Sequence, residues 1–331
     1  MVDDRTAAPS RTPGLVWNWS DALFGALIAV PAAIAVTQDV TRGLALAVGV
    51  IPAAVVGVAP RRRRRPVTAL VGAVAGASIL IGSLLAQVPV LAVPGIVVLG
   101  IGAALLAGRS ASGRLVMVLA LPLVGVGFSY TDVGESMGLA LIMAGGSVYA
   151  TAVSLAWPER PGPRSAPAPA DAPGAMLDYG VRLGVAAGIA AGVGFALDLD
   201  HVGWACAATL LVMRPAAEMV QLRSVGRLVS VALGAGLAGL DATLGFRPAA
   251  YAVLAVAVVS VCSATHRSRW YVTSAFTTFL ALSLIVQADP SSAGSRWLER
   301  VAETALGVGL AYVFGVLLDR GRRGEVSRRA T

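Results

Sequence analysis

Lysine is absent from this chain: all 26 of its basic residues are arginine. Beside an excess of alanine, glycine and valine, that uniformity reads as coding bias and carries no mechanism. Cysteine occurs twice and histidine twice. Cys206 and Cys262 show no redox or metal spacing and lie in apolar runs, where a thiol behaves as a small hydrophobe. Neither a GxxxxGK[ST] loop, HExxH, GxSxG nor a zinc-ligand pattern is present, so an energy-coupling ATPase has no nucleotide site in this chain. The acids are scattered, and His201 and His266 fall on opposite sides of the expected membrane, so a membrane-embedded enzyme lacks its cluster. The expectation is a protein that is not an enzyme and has neither cofactor nor metal.

Charge is scarce as well, at 13% of 331 residues, while 56% are hydrophobic and the mean hydropathy is +0.77. A chain of this balance has the bilayer as its solvent. A spanning helix takes about 20 apolar residues, and about twelve candidates fall near 19–37, 43–59, 67–87, 90–107, 114–131, 136–157, 179–197, 201–218, 228–246, 248–265, 271–287 and 298–318. The expected fold is all-α and polytopic, with two six-helix halves (17–157 and 178–319). A cytoplasmic tail (1–16) precedes them, a Pro/Ala-rich cytoplasmic linker (158–177) joins them, and a basic cytoplasmic tail (320–331) follows. The N-terminal tail, with Asp3 and Asp4, does not read as a signal peptide.

The net charge of +8 does not point to nucleic acid, because the arginines are placed as topology signals. Arg5, Arg11, Arg61 to Arg65, Arg109, Arg114, Arg160, Arg164, Arg214, Arg223, Arg227, Arg267, Arg269, Arg320, Arg322, Arg323, Arg328 and Arg329 occupy one set of alternating ends, with Arg182 just inside the membrane on that side. The other ends hold Arg42, Arg247, Arg296 and Arg300 among the acids Asp39, Asp132, Glu135, Asp198, Asp200, Asp241 and Asp289. By the positive-inside rule both termini lie in the cytoplasm of a cell-membrane protein and the number of spans is even. The run Arg61–Arg65 reads as a topology anchor.

One string is used twice. Residues 227–238 read RLVSVALGAGLA and residues 300–311 read RVAETALGVGLA, each opening a span, and the two spans cross in opposite directions. A weaker copy runs RPVTALVGAVAG from Arg65 to Gly76, and the sixth span has Gly138 where the arginine falls. A three-span unit present four times, in alternating sense, is the signature of an inverted-repeat transporter; Ala/Gly/Leu-rich composition alone is the competing explanation.

On a helix, Arg300, Glu303 with Thr304, and Gly307 form one stripe, matched by Arg227, Ser230 and Gly234. Glycines there serve close helix packing. An arginine at an outer helix start opposes both the macrodipole and the positive-inside rule. Either Arg300 pairs with Glu303 or Glu299 and fixes the helix, or it faces a polar cavity and meets an anionic substrate. Glu303 is the deepest acid by sequence, about one turn from the interface, and an acid there can exchange a proton during transport. Asp21 reads as interfacial. Thr273, Ser274, Thr277 and Thr278 make adjacent hydroxyl ridges, and Trp204 and Thr209 share the eighth span; interhelical glue and a ligand path both fit. Trp204, Trp270, Tyr271 and Trp297 fall at interfaces as an aromatic belt, and His201 beside Asp200 reads as an exposed outer pair.

These residues carry a resemblance. Trp204 to Thr209, Pro215, Arg227 to Gly234, Tyr271 to Thr277, and Arg300-x-x-Glu303-Thr304-x-x-Gly307 together resemble the fusaric acid resistance and aromatic acid exporter superfamily, whose wider relatives include plant aluminium-activated malate transporters. The likeness covers about 178–320 well and 17–157 only by span count and the Arg65 to Gly72 fragment. It implies proton-driven export of small aromatic or hydrophobic carboxylic acids, with Arg300, Arg227, Thr209, Thr277 and Trp204 on the substrate and Glu303 coupling protons. Where larger members carry a soluble domain between the membrane halves, only the short linker 158–177 is expected here. A passive anion channel and a non-transporting scaffold are the alternative readings. The expected partners are the substrate and the bilayer, with homo-oligomers through Gly-rich faces left open.

Overall fold

A computed structural model describes residues 15–161, 173–244, 247–268, 270–288 and 293–318. The central part of the linker, the arginines of both tails, Arg164, Arg269, Asp289 and the side chains of Asp241, Trp270 and Tyr271 lie outside the described residues. Twelve helices, and no strand, occur among those described. They are α1 (Trp19–Val36), α2 (Val40–Val56), α3 (Pro66–Ala86), α4 (Pro89–Arg109), α5 (Ala111–Gly127, with a π-helical turn inside it) and α6 (Val133–Leu155) in the first half. The second half holds α7 (Pro173–Ala196), α8 (Gly203–Val212), α9 (Ala217–Leu244), α10 (Pro248–Thr265), α11 (Trp270–Ala288) and α12 (Ala293–Tyr312, continued by a π-helical turn Val313–Leu317). Seven of them are long and apolar enough to cross a membrane by that measure alone. The protein is an all-α, polytopic membrane protein.

Helices form here because the bilayer leaves a backbone no other partner than itself, and their starts are marked. The side chain of Asn18 accepts from the amides of Ser20 and Asp21, that of Asp39 from Arg42, and that of Asp132 from Gly134. Proline opens α3, α4 and α10, where its missing N–H leaves no hydrogen bond unmade. Outward faces are apolar, as at Leu70, Val90, Leu141 and Val253, while the interior is built largely of alanine and glycine, which let helices approach closely.

Pairing follows the repeat. Inside the first half α1 packs on α2 and α4 on α5, α2 on α6 and α5 on α3, with α3 and α6 facing each other; the second half repeats this with α7–α8, α10–α11, α8–α12, α11–α9 and α9–α12. Exchanging the first three helices of a half with its last three leaves each of these pairings in place. Because a unit has three spans, consecutive units run in opposite senses, as an inverted repeat requires. The halves join through α1–α10, α4–α7, α5–α8 and α2–α11.

Two expectations change. The eighth segment, expected over 201–218, is helical only over Gly203–Val212, and the ninth begins at Ala217 instead of 228. Pro215 explains this: it disfavours helical backbone at the residue before it, and Met213 is already extended. The run Arg61–Arg65 is also not uniform. Arg61 to Arg64 are exposed, whereas Arg65 is fully buried and donates to the carbonyls of Ala59, Trp157 and Pro158, tying the end of α6 and the start of the linker to α3. Arg65→Ala should therefore lower the melting temperature, at a cost on the order of 2 kcal/mol or more for lost charge-assisted hydrogen bonds, while Arg63→Ala changes it little. Thermal unfolding in detergent compares the two; equal melting temperatures would refute the structural role of Arg65.

Candidate functional site

The changed helix boundaries relocate the arginines. The outward stripe of α9, from Met219 through Leu222, Val229 and Leu237 to Leu244, is exposed along its length. From Met219 to Leu244 it covers about 37 Å at ~1.5 Å per residue, enough to cross the ~30 Å hydrocarbon layer. Arg227, expected at the cytoplasmic end of a span, is the tenth residue after Ala217 and 5% exposed. Arg300 is the seventh residue after Ala293 and Glu303 the tenth, so neither lies in the first turn. Their relative exposures are 9% and 4%.

Arg300, Glu303 and Arg227 come together between α9 and α12, and they are poorly satisfied. Arg300 forms no salt bridge with Glu299 or Glu303 among those of the described residues, although both carboxylates lie near enough to act on its charge. Its Nη1 has no hydrogen-bond partner, nor has either carboxylate oxygen of Glu303, nor Nε of Arg227. The Arg300 guanidinium lies 4.4 Å from the centroid of the Trp204 ring, a cation–π contact worth up to about 2 kcal/mol in a desolvated place. Arg227 reaches across to α11 and donates to the hydroxyl of Ser274. It is near enough to Arg300 for the two cations to repel. Two guanidinium groups against one carboxylate leave the site one positive charge in excess. Buried charges without partners cost several kcal/mol each, so a site of this kind favours an incoming anion.

The short helix α8 frames the site. The Thr209 hydroxyl lies 3.0 Å from the carbonyls of both Ala205 and Gly307, joining α8 to α12. Beyond Val212 the chain is extended, and the freed carbonyls at the helix end are met by arginines: Arg214 donates to Leu210 and Met213, and Arg223 to Leu211. The Tyr179 hydroxyl donates to the Met213 carbonyl as well. Broken helices at membrane depth are tolerated where protein groups satisfy them in this way, and they line transporter sites.

Between α7 and α8 and near the start of α12, His201 stacks on Trp204 at 4.0 Å and bonds to Glu299, while Arg296 pairs with Asp200 at 2.6 Å and Glu299 at 3.1 Å. His201 is thus half-buried and its partner is Glu299, not Asp200. Trp204 is buried at 6% exposure, not a belt residue, whereas Trp297 is half exposed. Asp21 is likewise buried, at 1% exposure, and paired with Arg160. Thr277 donates to the carbonyl of Ser274 within its own helix; of the hydroxyl ridge, Ser274 is the member the structure brings to an arginine. The His201–Glu299 contact bridges 98 residues and had no local signal.

Glycine makes the two halves differ. A Cβ at Gly72 would meet the Ser147 side chain within 2.2 Å, and one at Gly76 the Ala140 carbonyl at 2.6 Å, so α3 and α6 touch backbone to backbone. In the second half the matching glycines turn elsewhere, Gly234 toward Ala275 of α11 at 2.5 Å and Gly307 toward Ala205 of α8 at 2.3 Å. The α9–α12 face is thereby left to the arginines and Glu303. Gly307→Ala should destabilise the fold by about 1–3 kcal/mol through overpacking, and Gly309→Ala, with open space around it, should be neutral or slightly stabilising. Melting temperatures of the pair decide this; equal effects would mean that α12 does not pack as described.

The fold and the site define a multi-pass helical membrane protein with a cationic, incompletely satisfied site between two of its helices. Residues 186–314 match the family model described as fusaric acid resistance protein-like, a stretch that contains Trp204, Arg227, Arg300 and Glu303. Membrane transport is the general class to which this points. No curated protein and no solved structure matches the chain.

Proposed function

We propose that the protein is a secondary-active exporter of small hydrophobic or aromatic carboxylic acids, driven by protons, in the cytoplasmic membrane with both termini inside. The observation that carries this reading is Arg300, buried against Trp204 without a salt bridge and with an unpartnered Nη1, close to a second unsatisfied arginine. A carboxylate bridging Arg300 and Arg227 would supply the missing acceptors, and an aromatic body would pack against Trp204. Glu303, one turn further along α12 and without a hydrogen-bond donor, is the group to exchange a proton with the opposite side. Thr209 and Thr277, whose hydroxyls are engaged by carbonyls, position the helices instead of holding the substrate. The first half, closed between α3 and α6, acts as the scaffold.

Accumulation of labelled benzoate, larger aromatic acids and aliphatic acids in cells with and without the protein tests the reading. Lower accumulation with the protein, reversed by a protonophore, is the expected result. Flux that follows voltage and ignores a pH gradient would favour the passive channel, and no difference with the protein present in the membrane would reject transport of these acids.

A further inference from the structure

Helices α9 and α11 run in the same sense, and they touch at Gly234, where a Cβ would meet the Ala275 carbonyl at 2.5 Å. Beside this contact lies a cleft of about 480 Å³ lined among others by Leu222, Val229, Ser230, Leu233, Ala275 and Phe276. Leu222, Val229 and Leu233 are more than half exposed on the outward face of α9, so the cleft opens sideways to the bilayer. Its walls are apolar except at Ser230, whose hydroxyl donates to the carbonyl of Arg227 at 3.1 Å. The Arg227 side chain crosses from α9 to Ser274, the chain neighbour of the lining residue Ala275. An apolar cleft open to lipid thus lies beside a buried arginine that does not itself line the cleft and whose Nε has no partner.

We propose that this cleft is a lateral access site, which takes an amphipathic monocarboxylate from the bilayer with its apolar body between α9 and α11 and its carboxylate on Arg227. The substrate class rests on the export reading above; the place and route of access do not. A hydrocarbon chain would fill the walls and leave Arg227 unpaired, whereas a carboxylate with an apolar body satisfies both, by charge complementarity. The volume falls within the ~300–1,000 Å³ range of small-ligand pockets. On the positive-inside topology, the N-terminal ends of α9 and α11 face the cytoplasm. The cleft therefore opens to the inner leaflet, into which amphipathic acids partition from the cell. Release of Arg227 from Ser274 would turn its guanidinium to the cleft to meet the carboxylate, which would then pass inward toward Arg300.

The test is photolabelling of the full chain in liposomes with 4-[3-(trifluoromethyl)diazirin-3-yl]benzoic acid and with its uncharged methyl ester. The acid is expected to label peptides within 222–233 and 272–276 and to be competed by benzoate, with the ester labelling weakly and without competition. Val229→Trp, on the exposed rim, and Arg227→Gln should each reduce labelling by the acid about tenfold, a 1.4 kcal/mol loss of binding. Equal labelling by acid and ester, uncompeted, would show a cleft for lipid chains only and overturn the proposal, as would acid labelling confined to other helices. Benzoate export that is lost in Arg300→Gln but unchanged in Val229→Trp, with no label in the cleft, would reject lateral access and leave export standing. Competed labelling of the cleft by the acid in a protein that exports no carboxylate would do the reverse.

Discussion

Arg300→Gln should abolish carboxylate export and leave the protein folded with an unchanged or higher melting temperature. Both halves of that expectation come from the same geometry. Removing one member of a close charge pair costs about 2–5 kcal/mol of binding, which is a thirty-fold or larger rise in the substrate concentration needed for transport. Without substrate, however, the guanidinium is a buried cation whose Nη1 has no acceptor and which rests on the Trp204 ring without a salt bridge to Glu299 or Glu303. A neutral side chain of similar reach sheds the desolvation cost of an unpaired charge, which exceeds the cation–π contact it gives up. Sites kept for function at the expense of stability behave this way. Thermal unfolding of the purified variant, read beside its transport rate, separates the possibilities. A melting temperature several degrees lower, with transport intact, would make Arg300 a structural residue and remove the anion site.

Glu303→Gln should break the link between export and the proton gradient. The glutamine has nearly the same shape and no proton to exchange, so downhill movement of substrate continues while a pH gradient no longer drives accumulation. The carboxylate has no hydrogen-bond donor in the structure and lies close to Arg300 in α12. On the export reading it is the acid in the path that would take a proton from outside and give it up inside as a carboxylate leaves, an exchange glutamine cannot make. In proteoliposomes with an imposed pH gradient, the wild type should concentrate labelled benzoate and Glu303→Gln should only equilibrate it. Concentration by the variant equal to that of the wild type would refute proton coupling through this residue.

Hydropathy and arginine placement were sufficient to read the helical class, the division into two halves and the repeat shared by 227–238 and 300–311. The eighth segment failed because composition admits Met213, Arg214 and Pro215 into an apolar window, whereas Pro215 ends the helix before a bilayer is crossed. The error then moved Arg227 to a helix start. The first turns of α9 contain Glu218, Gln221 and Arg223 and look too polar to span, yet their outward stripe of Met219, Leu222 and Val225 is apolar. Depth along a helix is set by which face meets lipid, and average hydropathy does not record it. Arg65 was hidden among five consecutive arginines because only the fold shows which one turns inward to the carbonyls at the end of α6. Trp204 and Thr209 are legible as candidates from α8 alone. Their partners, Arg300 and Gly307, come from a helix nearly a hundred residues later, a contact between repeats for which the sequence has no local mark.

The central claim is that the arginines of α9 and α12 form one carboxylate site in the folded protein. Equilibrium dialysis of labelled benzoate against the purified protein, Arg227→Gln and Arg300→Gln tests it without any assumption about driving force or direction. Saturable binding to the wild type that is weakened at least tenfold, about 1.4 kcal/mol, in each variant is the result this account predicts. Binding of the same strength in all three proteins, or no saturable binding to the wild type by any member of a panel of aromatic and aliphatic acids, would contradict it.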